Sequence, residues 1–246
     1  MEATRTTGGG NWFDEPLGSR VLREETALAP LALDNVFGFE LLQVGTWGPA
    51  RHLLDGARTQ HTTLMSPEPG PGVTLCAPLE SLPFRSDSID AIVLPHTLEL
   101  VEDPYAVLRE AERVLTAEGC LMICGFNPFS GWGARRLLSR SIARQAFPPR
   151  TRRMLTERRL RDWVALLGFD VESVYGYLGY LPMTGRVTPE AAGLEVQFAP
   201  RRALTAGAYL LKARKRVSTL TPVRLRKRVR QRVLVGAAEP THKVGP

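Results

Sequence analysis

Three short stretches of this chain carry side chains able to do chemistry. Pro95, His96, Thr97, Leu98 and Glu99 follow the apolar run Ile89 to Leu94. An unperturbed imidazole titrates close to neutral pH, so His96 suits a general base that takes a proton from a reacting group. The alternative is that it caps the loop by bonding a carbonyl; Glu99, three residues on, reads as structural. A second stretch, Gln43-Val44-Gly45-Thr46-Trp47-Gly48-Pro49, puts two glycines and an indole in a turn after another apolar run. Glycine lets backbone come close to a ligand there. The third, Phe126-Asn127-Pro128, closes a further apolar run.

The elements that must position these residues are readable around them. Ile89 to Leu94 is apolar and β-branched, of the length expected for a strand buried on both faces, and Cys120 to Phe126 is a second such run. Between them Asp103 stands before Pro104, an N-cap followed by a proline at the first helical position. Val107, Leu108, Ala111, Val114 and Leu115 then repeat at helical spacing, and Gly119 is expected to end the helix. Strand, helix and strand in so short a span form a right-handed crossover in a parallel sheet, and such sheets bind ligands outside the carboxyl ends of their strands. Pro95, His96 and Asn127 lie at those ends.

Further elements bracket this unit. A leading helix is expected from Arg20, interrupted near Pro30, then a first strand FELLQVG, a short helix ARHLLDG after Pro49, a second strand at 61 to 65 and a third at 73 to 77. PEPGPG at 67 to 72 is a loop by composition. A basic helix near 130 to 145 follows, then a helix beginning at Thr156 and stopped at Gly168, a sixth strand FDVESVYGY, and a seventh in ALTAGAYLLKARKR. The fold class that results is α/β: a doubly wound, seven-stranded, mostly parallel sheet with helices on both faces. The division expected along the chain is a leading segment 1–37, a main domain 38–216 and a basic tail 217–246.

The run LPF, an acidic turn, ID, an apolar strand, L-x-L-V-x-DP and L-x-E-x-x-RVL, over residues 82 to 128, resembles the central signature of class I S-adenosylmethionine-dependent methyltransferases, and most closely their type 11 group. With WFDEPLG near the start and GFNPFSGWGARR after the fifth strand, the chain is similar to short proteobacterial members of that group. The resemblance implies a methyltransferase that takes S-adenosyl-L-methionine as cofactor and a small-molecule acceptor. It also implies a cofactor site at Gly45, Thr46, Trp47 and Gly48, at Pro78 and Leu79, and at Pro95. The chain departs from the family pattern at several of these places. Gln43 stands where the family has an acid, Trp47 replaces the second glycine, Pro78 replaces an aspartate that meets the adenine, and Glu68 is the one acid near the end of strand two, late in register. These departures motivate a second reading, a catalytically degenerate relative acting as a binding or regulatory module. The Asn-Pro-Pro-aromatic motif of adenine methyltransferases follows strand four, whereas Asn127-Pro128 follows strand five, so DNA adenine methylation is not inferred. A nicotinamide enzyme would need G-x-G-x-x-G, and Gly45 begins G-T-W-G-P-A.

Composition narrows the remaining possibilities. Cys76, Cys120 and Cys124 form no CxxC pair and sit in predicted strands, which points to buried thiols in a reducing cytoplasm and to no metal site. No run of about 18 apolar residues is present, so no transmembrane span is expected. The net charge of +7 is unevenly placed: basic and acidic residues number 8 and 18 over 1 to 134, 11 and 6 over 135 to 200, and 13 and 1 over 201 to 246. The tail runs KARKR and RLRKRVRQR suit nucleic acid or an anionic membrane, or else a solvated tail.

Overall fold

The computed structural model describes residues 12–49, 51–142, 151–179, 206–216 and Gly245. The basic tail beyond Arg216 and the segments 143–150 and 180–205 lie outside the described residues, apart from Gly245.

The chain opens with a single 3₁₀ turn, Trp12–Asp14, and α1, Pro16–Leu33. Strands β1 (Phe37–Val44), β2 (Arg58–Ser66), β3 (Leu75–Cys76) and β4 (Ile89–Pro95) follow. The rest alternates α2 (Thr97–Leu100), α3 (Pro104–Val114), β5 (Leu115–Phe126), α4 (Gly131–Ile142), α5 (Glu157–Leu166), β6 (Phe169–Tyr177) and β7 (Ala208–Lys215). The seven strands form one sheet in the order β3-β2-β1-β4-β5-β7-β6. All neighbours are parallel except β7, which runs antiparallel to both β5 and β6.

Alternate residues of each central strand serve opposite layers of the core, as period-two side chains must. On one face Leu41, Ala91, Val93, Met122 and Cys124 pack against Val21, Leu28 and Ala32 of α1 and Trp132 of α4. On the other, Leu42, Ile92, Leu94, Leu121 and Ile123 pack against Val107, Leu108 and Ala111 of α3 and Leu160 and Val164 of α5. Because both faces are covered, β4 and β5 read as continuous apolar runs. Helix α1 belongs to this core: it fills one layer over the sheet that begins at β1.

Asp103 caps α3 as its sequence suggests, accepting from the amides of Tyr105 and Ala106. On the same helix, Glu110 and Arg113 explain the L-x-E-x-x-R spacing. Glu110 Oε2 accepts from Leu82 N at 2.9 Å, while Arg113 donates to the carbonyls of Leu82 and Phe84 and pairs with Glu110. The L-x-E-x-x-R part of the signature thus clamps the LPF loop to a helix: Glu110 and Arg113 build the fold and do not line the cleft.

Three expectations are corrected. Gly119 does not end α3: the helix stops at Val114, and the chain enters β5 directly, with a register irregularity between Ile89 and Ala91 that takes up the residues before Cys120. The segment after Pro49 forms turns, not a helix, over residues 51–56; Arg51 there has a left-handed backbone, φ 69°, that breaks a helical run. Cys76 is exposed on the two-residue strand β3, whereas Cys120 and Cys124 are buried.

Candidate functional site

At the carboxyl edge of the parallel strands a cleft of about 1020 Å³ opens, near the upper end of ordinary ligand pockets, about 300–1,000 Å³. Gly45 to Pro49 after β1, Ser66 to Pro71 after β2, Leu79, the α2 residues Thr97 and Leu100, and Val101 line it, with Thr151 and Arg152 on its rim. Of the residues the sequence assigns to a cofactor, Gly45, Thr46, Trp47, Gly48 and Leu79 meet here. Pro78 and Pro95 do not line the cleft; Pro95 is buried where β4 ends, its carbonyl facing the Thr97 hydroxyl.

The cradle is tight at Gly45. Its φ is +92°, a conformation that L side chains rarely adopt, and a Cβ would lie 2.8 Å from Thr97 Oγ1. Thr97 is held in turn by donating to Val44 O at 2.5 Å, so β1 and α2 close on each other with no room for a side chain. Beneath the loop, Gln43 is almost fully buried. Its Nε2 donates to Gly45 O at 3.1 Å, which fixes the amide, while Oε1 meets no hydrogen-bond donor among the described residues. An orphaned acceptor in the lining of a cleft is the kind of exception that a ligand donor resolves. Glu68, two residues beyond β2, also lines the cleft.

The indole of Trp47 turns away into the core. It is 5% exposed, packs with Trp12, Phe13 and Phe126, stacks on the His96 ring at 4.1 Å between centroids, and donates from Nε1 to Glu25 Oε2 at 2.7 Å. The glycine-poor loop therefore keeps its backbone on the cleft because its one large side chain is stored elsewhere.

His96 lies at the centre of a buried polar network. It has a left-handed backbone, φ 53°, at the start of α2, and no exposed surface. Nδ1 lies 2.8 Å from Glu99 Oε2 and Nε2 2.8 Å from Glu25 Oε1. Tyr177, at the end of β6, donates to Glu25 Oε1 at 2.8 Å, and Glu99 Oε1 accepts from Phe126 N at 2.6 Å. Burial by itself would push the imidazole down, but the flanking carboxylates of Glu99 and Glu25 outweigh it and raise the pKa to about 9. Burial raises Glu99 against the opposing pull of His96. His96 is thus an imidazolium at neutral pH, shielded from the cleft behind Trp47.

Sequence reasoning names His96 and Glu99 but misses Glu25 and Tyr177. For Glu25 a sign was present: Leu17, Val21, Glu25, Leu28 and Ala32 share one helical stripe, and all five are buried. A carboxylate in an apolar stripe implies a buried partner. Tyr177 had no comparable mark. Among the described residues no group of histidines, cysteines and carboxylates forms a metal site.

Strand order, antiparallel β7 and a cleft over the strand ends together define the class I methyltransferase fold. Residues 52–123 match the family described as a methyltransferase domain, type 11. The uncharacterized protein YafS of Escherichia coli is 37% identical over 161 residues, covering 65% of each chain. An uncharacterized protein of Mycobacterium tuberculosis is 32% identical over 186 residues, 74% of this chain and 64% of its own. The chain spans just under two thirds of the length of these curated relatives. Among solved structures, an S-adenosylmethionine-dependent methyltransferase of Thermotoga maritima, titled a possible histamine N-methyltransferase, superposes with TM-score 0.58 at 18% identity, over 83% of this chain and 93% of that one. The [4+2]-cyclase SpnF superposes with TM-score 0.55 at 20% identity, over 81% and 82%. The chain has the class I methyltransferase fold, and its residues 52–123 resemble the type 11 methyltransferase domain. No helix among the described residues is long and apolar enough to cross a membrane.

Proposed function

We propose that this protein binds S-adenosyl-L-methionine in the cleft and transfers its methyl group to a small-molecule acceptor. The observation that carries the reading is the pair at the end of β1: a glycine that cannot accept a Cβ, above a clamped glutamine whose oxygen meets no donor among the described residues. The residues present fit the cofactor. Gln43 Oε1 would accept from the cofactor's ammonium, Glu68 would accept from its vicinal hydroxyls, and Leu79 would offer an apolar wall to its base. When bound, the cofactor supplies a methyl group already activated on a sulfonium, so alignment can supply much of the acceleration.

The protein's own part is then to orient and to exclude water. In this reading His96 is a positioning residue: with both nitrogens engaged and its proton held to about pH 9, it anchors Trp47 and α2 and takes no proton from the acceptor. Any base an acceptor requires comes from elsewhere.

One observation favours a second reading, a binding or regulatory module without catalysis: the histidine at the strand-four edge, His96, is committed to internal carboxylates. The same fold in a structure titled a cyclase shows that fold alone does not fix the chemistry. Calorimetric titration with S-adenosylmethionine and S-adenosylhomocysteine tests both. Absence of heat at millimolar ligand sinks the first reading; binding without methyl transfer to any acceptor in a metabolite panel favours the second.

A further inference from the structure

Among the described residues two that line the cleft are charged, Glu68 after β2 and Arg152. Arg152 is held in place by its backbone. Its amide donates to Glu99 O at 2.8 Å, and Arg136 donates to the carbonyls of Thr151 and Arg152. The next residue, Arg153, donates to Glu102 O at 2.7 Å. These bonds fasten the segment to the carboxyl end of α2, so Arg152 has a fixed root and a side chain that is 57% exposed. Its partner is Glu102 Oε1 at 2.8 Å, a side chain 84% exposed. An exchange of that carboxylate for another oxyanion costs little, because exposed pairs contribute only about 0–1 kcal/mol.

The local sequence points the same way. Between Glu118 and Glu157 there is no acidic residue, and all seven cations, at positions 135, 136, 140, 144, 150, 152 and 153, are arginines. Arginine's planar fork matches carboxylate and phosphate, where lysine offers only a point charge. A solubility surface has no need of that uniformity.

We infer that Arg152 is the oxyanion-binding residue of this cleft, taking a carboxylate or phosphate group of the molecule bound there. The group comes either from the cofactor's amino-acid carboxylate or from an anionic acceptor. The inference rests on the proposed cofactor reading for its first source and stands without it for the second.

Three ligands separate the cases with the full chain as wild type, Arg152→Gln and, as control, Arg159→Gln, whose guanidinium lies over Trp163 on α5. They are S-adenosylhomocysteine, 5′-methylthioadenosine, which lacks the carboxylate, and inorganic pyrophosphate with and without saturating nucleoside. Loss of an ion pair at the upper end of the exposed range weakens binding by about threefold to fivefold. If S-adenosylhomocysteine weakens by that factor in Arg152→Gln alone while 5′-methylthioadenosine does not, the cofactor supplies the anion. If pyrophosphate alone weakens, the acceptor does. Equal affinities of the two variants for every ligand overturn the inference. Failure of both nucleosides to bind wild type, with pyrophosphate still weakened by Arg152→Gln, overturns the cofactor reading and keeps the oxyanion site. Because the Arg152 side chain is exposed, unchanged thermal unfolding of the variant confirms that folding is not what moved.

Discussion

Glu25 and His96, 71 positions apart, place Oε1 and Nε2 2.8 Å from each other with neither side chain more than 1% exposed. This contact joins the leading helix to the strand-four edge. Through Trp47 Nε1 on the other Glu25 oxygen it also joins both to the cofactor loop. Removing one partner of a buried, hydrogen-bonded charge pair leaves the other uncompensated, at about 3–5 kcal/mol. Glu25→Ala is therefore expected to destabilise the protein by that order in urea unfolding, with a midpoint shift and an unchanged slope. A loss below about 1 kcal/mol, typical of a surface position, would show that the network is not formed.

The same contact predicts a pH dependence. His96 carries a proton to about pH 9 in the folded protein against an ordinary value of 6.5. A group whose pKa is raised on folding contributes stability that is complete below its unfolded value and disappears as pH climbs through the folded one. Glu99, also raised, acts in the same direction. The melting temperature should accordingly fall between about pH 6.5 and pH 9. In Glu25→Gln, which removes one of the two carboxylates that hold the proton, the decline should be smaller and should end at lower pH, while still beginning at the unfolded value. A flat profile in wild type across that window contradicts the assignment of His96 as a buried imidazolium.

How far the sequence discloses this molecule depends on what each residue is for. Strands β4 and β6, the cap at Asp103 and the helix begun by Thr156 are local solutions, fixed by a few neighbours in sequence, and they lie where the pattern places them. After Pro49 the apolar spacing suggests a helix but reports burial of Leu53 and Leu54 in turns packed in the same core layer as α1, not helical repeat. The network was half hidden for a different reason. His96 and Glu99 are neighbours and attract notice, but the bond to Glu25 spans 71 positions and that to Tyr177 a further 81 from His96. Such pairings exist only once the sheet brings the strand ends together. Likewise Trp47 reads in the chain as a departure from the glycine pattern and is an anchor in the fold, its Nε1 donating to Glu25.

Gly45 offers a steric test of the cradle. Gly45→Ala places a methyl group 2.8 Å from Thr97 Oγ1 at φ +92°. Backbone strain of this kind costs about 1–3 kcal/mol. The variant should lose stability by that amount and lose S-adenosylhomocysteine binding by calorimetry. Adding Thr97→Ala to the variant removes the clashing hydroxyl but not the strained backbone, so it should restore only part of the stability. Full binding by Gly45→Ala would mean that the ligand does not approach the loop backbone.

Gln43 separates binding from stability more sharply. Its Oε1 is buried without a donor, whereas its Nε2 bonds Gly45 O at 3.1 Å. Gln43→Leu replaces the amide by an apolar side chain of similar size. It removes one unsatisfied acceptor and leaves one carbonyl without its donor, so the two effects on stability oppose each other and the net change should stay within about 1 kcal/mol. Binding has no such compensation. If the cofactor's ammonium donates to Oε1, its partner is gone and affinity for S-adenosylhomocysteine should fall about tenfold or more, the worth of a hydrogen bond to a charged group. Gln43→Glu restores an acceptor and adds a charge of opposite sign to the ammonium, so it should bind at least as tightly as wild type at neutral pH. Calorimetric titration of the three proteins decides the matter. Equal affinity in Gln43→Leu and wild type would remove Gln43 from the cofactor site and, with it, the observation on which the methyltransferase reading chiefly rests.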